Sequence, residues 1–112
     1  MKRSASIVLL LFCVPLGVLG QGRSEGNDLS AQQLEGMRHF NQSCRVCHTK
    51  PQMTSAQYAP VLSGVTLGGQ EEALRVFIAN GSAKMPGFKY HFKPAEIDAI
   101  VVYIKTLPQP SD

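Results

Sequence analysis

FNQSCRVCHTK, residues 40–50, holds the run Cys44-Arg45-Val46-Cys47-His48. Two cysteines three apart, with a histidine directly after, suit three chemistries: a thiol-redox pair, half of a zinc site, or the anchor of a covalent haem. The remainder of the chain has to choose among them, and that choice carries the fold with it.

The beginning of the chain speaks to location. MKRSASIVLLLFCVPLGVLGQG, residues 1–22, opens with Lys2 and Arg3 and then runs apolar from Ile7 to Leu19, broken only by Pro15 and Gly17. Those 13 residues fall short of the roughly 20 that a helix needs to cross a bilayer. With Val18 and Gly20 at the −3 and −1 places, residues 1–20 read as a secretory signal peptide cleaved after Gly20. Left uncleaved, the same stretch would serve as a membrane anchor. Cys13 reads as an apolar residue of the signal, because Phe12 is too bulky to precede a lipidated cysteine. The expected location is the periplasm.

Removing residues 1–20 leaves 92 of the 112, enough for one small domain. The signal takes two of the eleven basic residues, so nine remain against eight acidic ones, a net charge of +1. The whole-chain pI of 8.9 therefore mostly advertises the signal, and a nucleic-acid partner has no support in it. A domain of this size buries little surface and usually needs disulfides, a metal or a large cofactor. Cys44 and Cys47 are the only cysteines after the signal, so no disulfide framework is available. Something else should fill the core.

Residues 21–28, QGRSEGND, are polar and glycine-containing and read as a flexible lead-in to a domain over 29–112. Ser30 as N-cap, Gln33 completing a capping box, and Leu29 stapled to Leu34 predict a first helix whose apolar stripe is Leu34, Met37 and Phe40. A second helix is predicted from Gln70 to about Ala79, with Glu71 and Glu72 favouring its dipole and Asn80-Gly81 ending it. A third is predicted from Pro94 to about Leu107, stopped by Pro108, with Ile97, Ile100, Val101 and Ile104 buried. The pattern shows no repeat and no strand, so the fold class is all-α. Between Thr49 and Leu67 the chain has no periodicity, a long loop for so small a domain unless it walls a cofactor pocket.

A thioredoxin-type pair follows a strand inside a βαβ unit, whereas this one follows a helix. A zinc site needs four ligands, usually as two pairs, and His39, His48 and His91 supply no second pair at a recognised spacing. C-x-x-C-H is the attachment run for c-type haem. Each thiol can add to one vinyl group on the same haem edge, and the imidazole that follows reaches the iron from the face below. A secretory signal agrees with that chemistry.

From Leu29 to Leu107 the chain resembles the class I cytochromes c. The resemblance lies in GMRHFNQSCRVCH (36–48), APVLSG (59–64), KMPGF (84–88) and AIVVYIKTLP (99–108). It implies a cytochrome c fold, three main helices with long loops wrapped around one covalent haem. It implies that the Gly36/Phe40 face crosses the last helix near Ile100 and Tyr103, and that the Pro60 carbonyl accepts a hydrogen bond from the iron-bound histidine. Haem c would be joined to Cys44 and Cys47, with His48 as one axial ligand.

The other axial ligand is expected to be Met85, 37 residues past His48 and held in extended backbone by Pro86. Met37 reads as core, Met53 lies too close to His48, His91 reads as a surface residue or one beside the haem propionates, and His39 as solvent-facing. With both axial positions filled, the expected role is one-electron transfer rather than catalysis. The expected partners are redox proteins, a dehydrogenase donor and an oxidase or other acceptor, with no stable membrane insertion once the signal is gone. Lys84, Lys89 and Lys93, with no acid between Gly81 and Ala95, are candidates for the docking face. A free monomeric carrier and a haem subunit fixed to a dehydrogenase remain alternatives.

Overall fold

The computed structural model describes residues 28–50 and 56–110. The expected signal peptide, the lead-in up to Asn27, and Met53 lie outside them. Among the described residues four α-helices follow one another: α1 (Ala31–Ser43), α2 (Arg45–His48), α3 (Glu71–Asn80) and α4 (Pro94–Ile104), with a 3₁₀ turn at Thr66–Gly69. Among the described residues there is no strand, so the all-α expectation holds.

Local signals explain where these helices begin and end. The Ser30 hydroxyl accepts from the Gln33 N–H at 3.2 Å, and Gln33 Oε1 accepts from the Ser30 N–H at 2.7 Å, closing the predicted capping box. Pro94 opens α4, where its missing N–H costs nothing. There the Lys93 N–H donates to Glu96 Oε2 at 2.7 Å; a lysine side chain has no acceptor to return the bond, so only half a capping box forms. Helix α3 runs one residue later than predicted and ends as Gly81 turns to φ 72°, a conformation that costs glycine little. Helix α4 stops at Ile104 rather than Leu107, with Thr106 and Leu107 closing tighter turns onto the Tyr103 and Ile104 carbonyls.

The core forms where α1 crosses α4 and α3 packs beside them. Ile97, Ile100, Val101 and Ile104 are all buried as predicted, together with Phe40, Cys44, Leu74, Ile78 and Phe92. Each such aliphatic side chain removed from water stabilises by about 1.5–3 kcal/mol. Gly36 makes the crossing possible: a Cβ there would lie 1.9 Å from the Ala99 carbonyl oxygen. One turn later the Phe40 and Tyr103 rings meet at 5.4 Å, the contact that the cytochrome c resemblance implies.

Two expectations need correction. Leu34, placed on the buried stripe, is 44 % exposed. The seam of α1 is instead Gly36, Phe40 and, at its C-cap, Cys44, each four residues after the last. His39, read as solvent-facing, is half-buried with its ring edge against Phe92 at 5.0 Å. The segment after α3 returns Phe92 to α1 and covers the imidazole.

Polar ties fix α3 to α4. Arg75 Nε donates to Asp98 Oδ1 at 2.5 Å, and Arg75 also reaches Glu71 Oε2 at 3.3 Å. Lys105 Nζ donates to the other oxygen of Glu71. The Lys105 hydrogen bond, with its charge and Arg75 behind it, holds the Glu71 carboxyl below its ordinary range. The hydrogen bond to Asp98 likewise pushes the Arg75 guanidinium further up.

Candidate functional site

The chain does not leave helical geometry after α1; it tightens. Cys44 keeps a right-handed conformation and donates its N–H to the Phe40 carbonyl at 2.8 Å. Its own carbonyl then accepts from Cys47 at 3.2 Å and from His48 at 3.1 Å. The two cysteines thus stand one turn apart, the spacing that puts side chains on one face. Thr49 closes the turn, its hydroxyl donating to the Arg45 carbonyl at 2.7 Å. Both thiols are free. Burial, with Cys47 beside it, pushes the Cys44 thiol up to about 11, so it stays protonated at neutral pH.

His48 is oriented from outside its own helix. Its Nδ1 lies 2.8 Å from the Pro60 carbonyl oxygen. A carbonyl can only accept, so Nδ1 carries the hydrogen and Nε2 keeps its lone pair for a ligand. Pro60 is stationed in turn by its neighbours. The Ser63 N–H donates to Thr66 Oγ1 at 2.8 Å, and the Gly64 N–H donates to the Leu107 carbonyl at 3.0 Å, tying this strip to the end of α4. The aperiodic loop therefore acts as a brace for the imidazole.

Met85 sits in a loop clasped onto the end of α3. Ser82 and Met85 exchange backbone hydrogen bonds, at 2.8 Å and 3.3 Å, and Phe88 and Lys89 donate to the Ile78 and Ala79 carbonyls. Gly81 is required here, since a Cβ on it would lie 2.3 Å from the Met85 carbonyl oxygen. The thioether side chain is half-buried and packs on the hydrophobic cluster, as Leu62 and Phe88 do. The reciprocal Ser82–Met85 turn is a feature that sequence reasoning missed; GS at 81–82 was its only trace.

A cavity of about 580 Å³ opens beside His48, between Phe40, Leu62, Tyr103 and Leu107. Met85 and the two cysteines do not line it, so of the expected haem-binding residues His48 alone borders this cavity, while Cys44 and Met85 pack on the hydrophobic core. His91 is exposed, and Met37 is half-buried on α1. Lys84, Lys89 and Lys93 are all exposed; Lys89 leans on Asn80 Oδ1 at 3.4 Å and stands 5.3 Å from the Tyr90 ring centre.

The geometry discriminates among the three chemistries of the Cys-x-x-Cys-His run. No strand precedes the pair among the described residues, as a thioredoxin-type site needs. Among those residues the only gathering of three potential metal ligands is Glu35, His39 and Glu96, which includes neither cysteine nor His48. A haem suits what remains: paired free thiols, an imidazole with its tautomer fixed, and a thioether packed on the core that holds Cys44.

No curated protein is found to match the chain. A family model described as "Cytochrome C oxidase, cbb3-type, subunit III" matches residues 31–104, from the first residue of α1 to the last of α4. The span that matches thus takes in all four described α-helices, and the chain belongs to this family of c-type cytochromes, class I in kind, whose domain carries haem c and transfers electrons.

Proposed function

We propose that this protein is a periplasmic one-electron carrier whose haem is joined to Cys44 and Cys47 and held axially by His48 and Met85. The observation that carries the reading is the 2.8 Å approach of His48 Nδ1 to the Pro60 carbonyl, which leaves Nε2 as a ligand of fixed orientation. The haem, when bound, supplies the one-electron iron couple, and the protein supplies ligands, burial and a docking face. His48 is held by the brace from Pro60 to Leu107, and Met85 by its turn against α3. Side chains on two such supports need little rearrangement between redox states. A thioether in place of a second imidazole raises the potential. With His48 and Met85 both holding the iron, the haem would offer no place for oxygen or peroxide, which supports transfer over catalysis.

The signal-like residues 1–20 support export, and among the described residues no helix is long and apolar enough to cross a membrane. Lys84, Lys89 and Lys93 supply positive charge around Met85 for steering an acidic redox partner, a dehydrogenase on one side and an oxidase or other acceptor on the other. The family's printed description, which makes its domain an oxidase subunit, favours a second reading: a haem subunit fixed within a larger oxidoreductase. Co-elution of a single larger complex from native periplasm would favour the subunit, and elution as a small free protein the carrier.

The ligand assignment is tested with Met85→Ala. The weak sulfur-to-iron absorption at the red end of the oxidised spectrum should vanish, and the reduced protein should bind carbon monoxide. The potential should fall by about 0.1 V or more, within the roughly 0.8 V that axial ligation can span. Retention of the band without carbon monoxide binding would exclude Met85 as the ligand.

A further inference from the structure

We propose that Glu35, His39 and Glu96 form a binding site for a divalent transition-metal cation of the Zn²⁺ or Cu²⁺ kind, clasping the middle of α1 to the first turn of α4. One ligand atom from each residue lies within 4.8 Å of the other two. His39 Nε2 stands 3.9 Å from Glu35 Oε1 and 3.8 Å from Glu96 Oε1. Both separations are too long for hydrogen bonds. They are close to what a shared cation imposes, because ligands about 2.0–2.2 Å from a tetrahedral metal stand roughly 3.3–3.6 Å apart. The two carboxylates, within 4.8 Å of each other, would draw in onto a shared cation to close the site.

Each ligand is held independently. The His39 ring is set against Phe92 at 5.0 Å with an interplanar angle of 62°, and its side chain is only 19 % exposed. Glu96 uses Oε2 to accept from the Lys93 N–H at 2.7 Å, leaving Oε1 beside the imidazole. Glu35 is the helical neighbour of His39, one turn earlier. The charge pattern sets the cluster apart from the rest of the surface. Glu71, Glu72 and Asp98 pair with Arg75 or Lys105, whereas among the described residues Glu35 and Glu96 meet no arginine or lysine side chain. Among the described residues two carboxylates are thus gathered around one imidazole with no arginine or lysine to compensate them. That nitrogen and oxygen set prefers zinc or copper to calcium or magnesium, which take oxygen ligands. Water would complete the coordination.

The site is separate from the haem ligands, so its test is too. Haem-loaded protein is titrated calorimetrically with ZnCl₂ at pH 7.5, with MgCl₂ as the comparison. The wild type should bind one Zn²⁺ saturably and Mg²⁺ not at all, with the haem spectrum unchanged. His39→Asn should weaken binding by about tenfold or more, a decade being the step set by 1.4 kcal/mol. Glu35→Gln, on a more exposed side chain that the fold does not need, should weaken it in the same direction. His91→Asn, which removes the exposed imidazole, should leave it unchanged. Because a cation bound only to the folded state stabilises it, saturating Zn²⁺ should raise the melting temperature of the wild type and not of His39→Asn. Absence of one-to-one binding in the wild type would overturn the proposal, and so would undiminished wild-type affinity in both Glu35→Gln and His39→Asn. In either case Glu35, His39 and Glu96 are only surface neighbours.

Discussion

Gly36→Ala places a Cβ 1.9 Å from the Ala99 carbonyl oxygen, 2.5 Å from its carbon and 2.9 Å from Tyr103 Cβ. Two of those atoms are backbone in the middle of α4 and cannot rotate away. Restoring an ordinary contact of 3.4 Å requires α1 and α4 to part by about 1.5 Å. Forced overpacking costs about 1–3 kcal/mol, and a clash with fixed backbone belongs at the upper end. Alanine in place of glycine returns about 1 kcal/mol of helix propensity. The net loss is therefore about 2 kcal/mol. In a domain of this size each kcal/mol moves the melting temperature by about 4–8 °C, so a fall of about 8–16 °C is expected. The assay is thermal and urea unfolding of the haem-loaded protein followed by far-ultraviolet circular dichroism. A urea midpoint that falls with an unchanged slope would place the effect in stability rather than in the extent of unfolding. A melting temperature within about 2 °C of wild type would refute the reasoning, because the helices could not then cross at Gly36.

Two further outcomes follow from the surface charges. Reversing Lys84 and Lys89 to glutamate should slow electron transfer to an acidic partner through association, by about tenfold at low salt, and should abolish the decline of the wild-type rate with ionic strength. The potential should move little, since charges beyond about 8 Å are screened at physiological salt; an unchanged low-salt rate would mean that the partner reads another face. The Glu71 carboxyl, depressed by Lys105 and Arg75, contributes stability that is fully present above its ordinary value of 4.5 and is lost as pH falls through its lower folded value. Glu71→Gln should therefore flatten the loss of stability below about pH 4.5, measured by urea midpoints at successive pH values, and an identical acid limb in both proteins would remove this pair from the account.

The features legible in the sequence were those made by neighbours along the chain. Ser30 and Gln33 announce α1 because their bonds span three residues, and Pro94 announces α4 because it is suited to a first turn. Four apolar residues at helical spacing placed the buried face of α4 correctly. The phase of α1 was harder. A pattern of large apolar residues selects Leu34, Met37 and Phe40, but the true seam includes a glycine, which carries no hydrophobic signal and is chosen for its lack of a side chain. The covering of His39 by Phe92 was equally hidden, since 53 positions separate them and only the return of the loop after α3 joins them. Of the site, the Cys-x-x-Cys-His run was legible on its own. The hydrogen bond between His48 and Pro60 was expected only through the family resemblance, and its support by Gly64 and Leu107 emerges from tertiary packing. The Arg75–Asp98 and Lys105–Glu71 ties are likewise contacts between distant positions that no local pattern marks.

A haem bonded to this chain through Cys44 and Cys47 would leave its mark on the mass of the polypeptide. The most direct measurement is the intact mass of protein from a periplasmic preparation, taken under denaturing conditions after acid extraction of any loosely held cofactor. The expected species is a polypeptide beginning after Gly20 and heavier by one haem, with the added mass and the haem-stained gel band both lost when Cys44 and Cys47 are replaced by serine. A bare polypeptide mass from a native protein that contains zinc, or a haem that extraction removes completely, would contradict it.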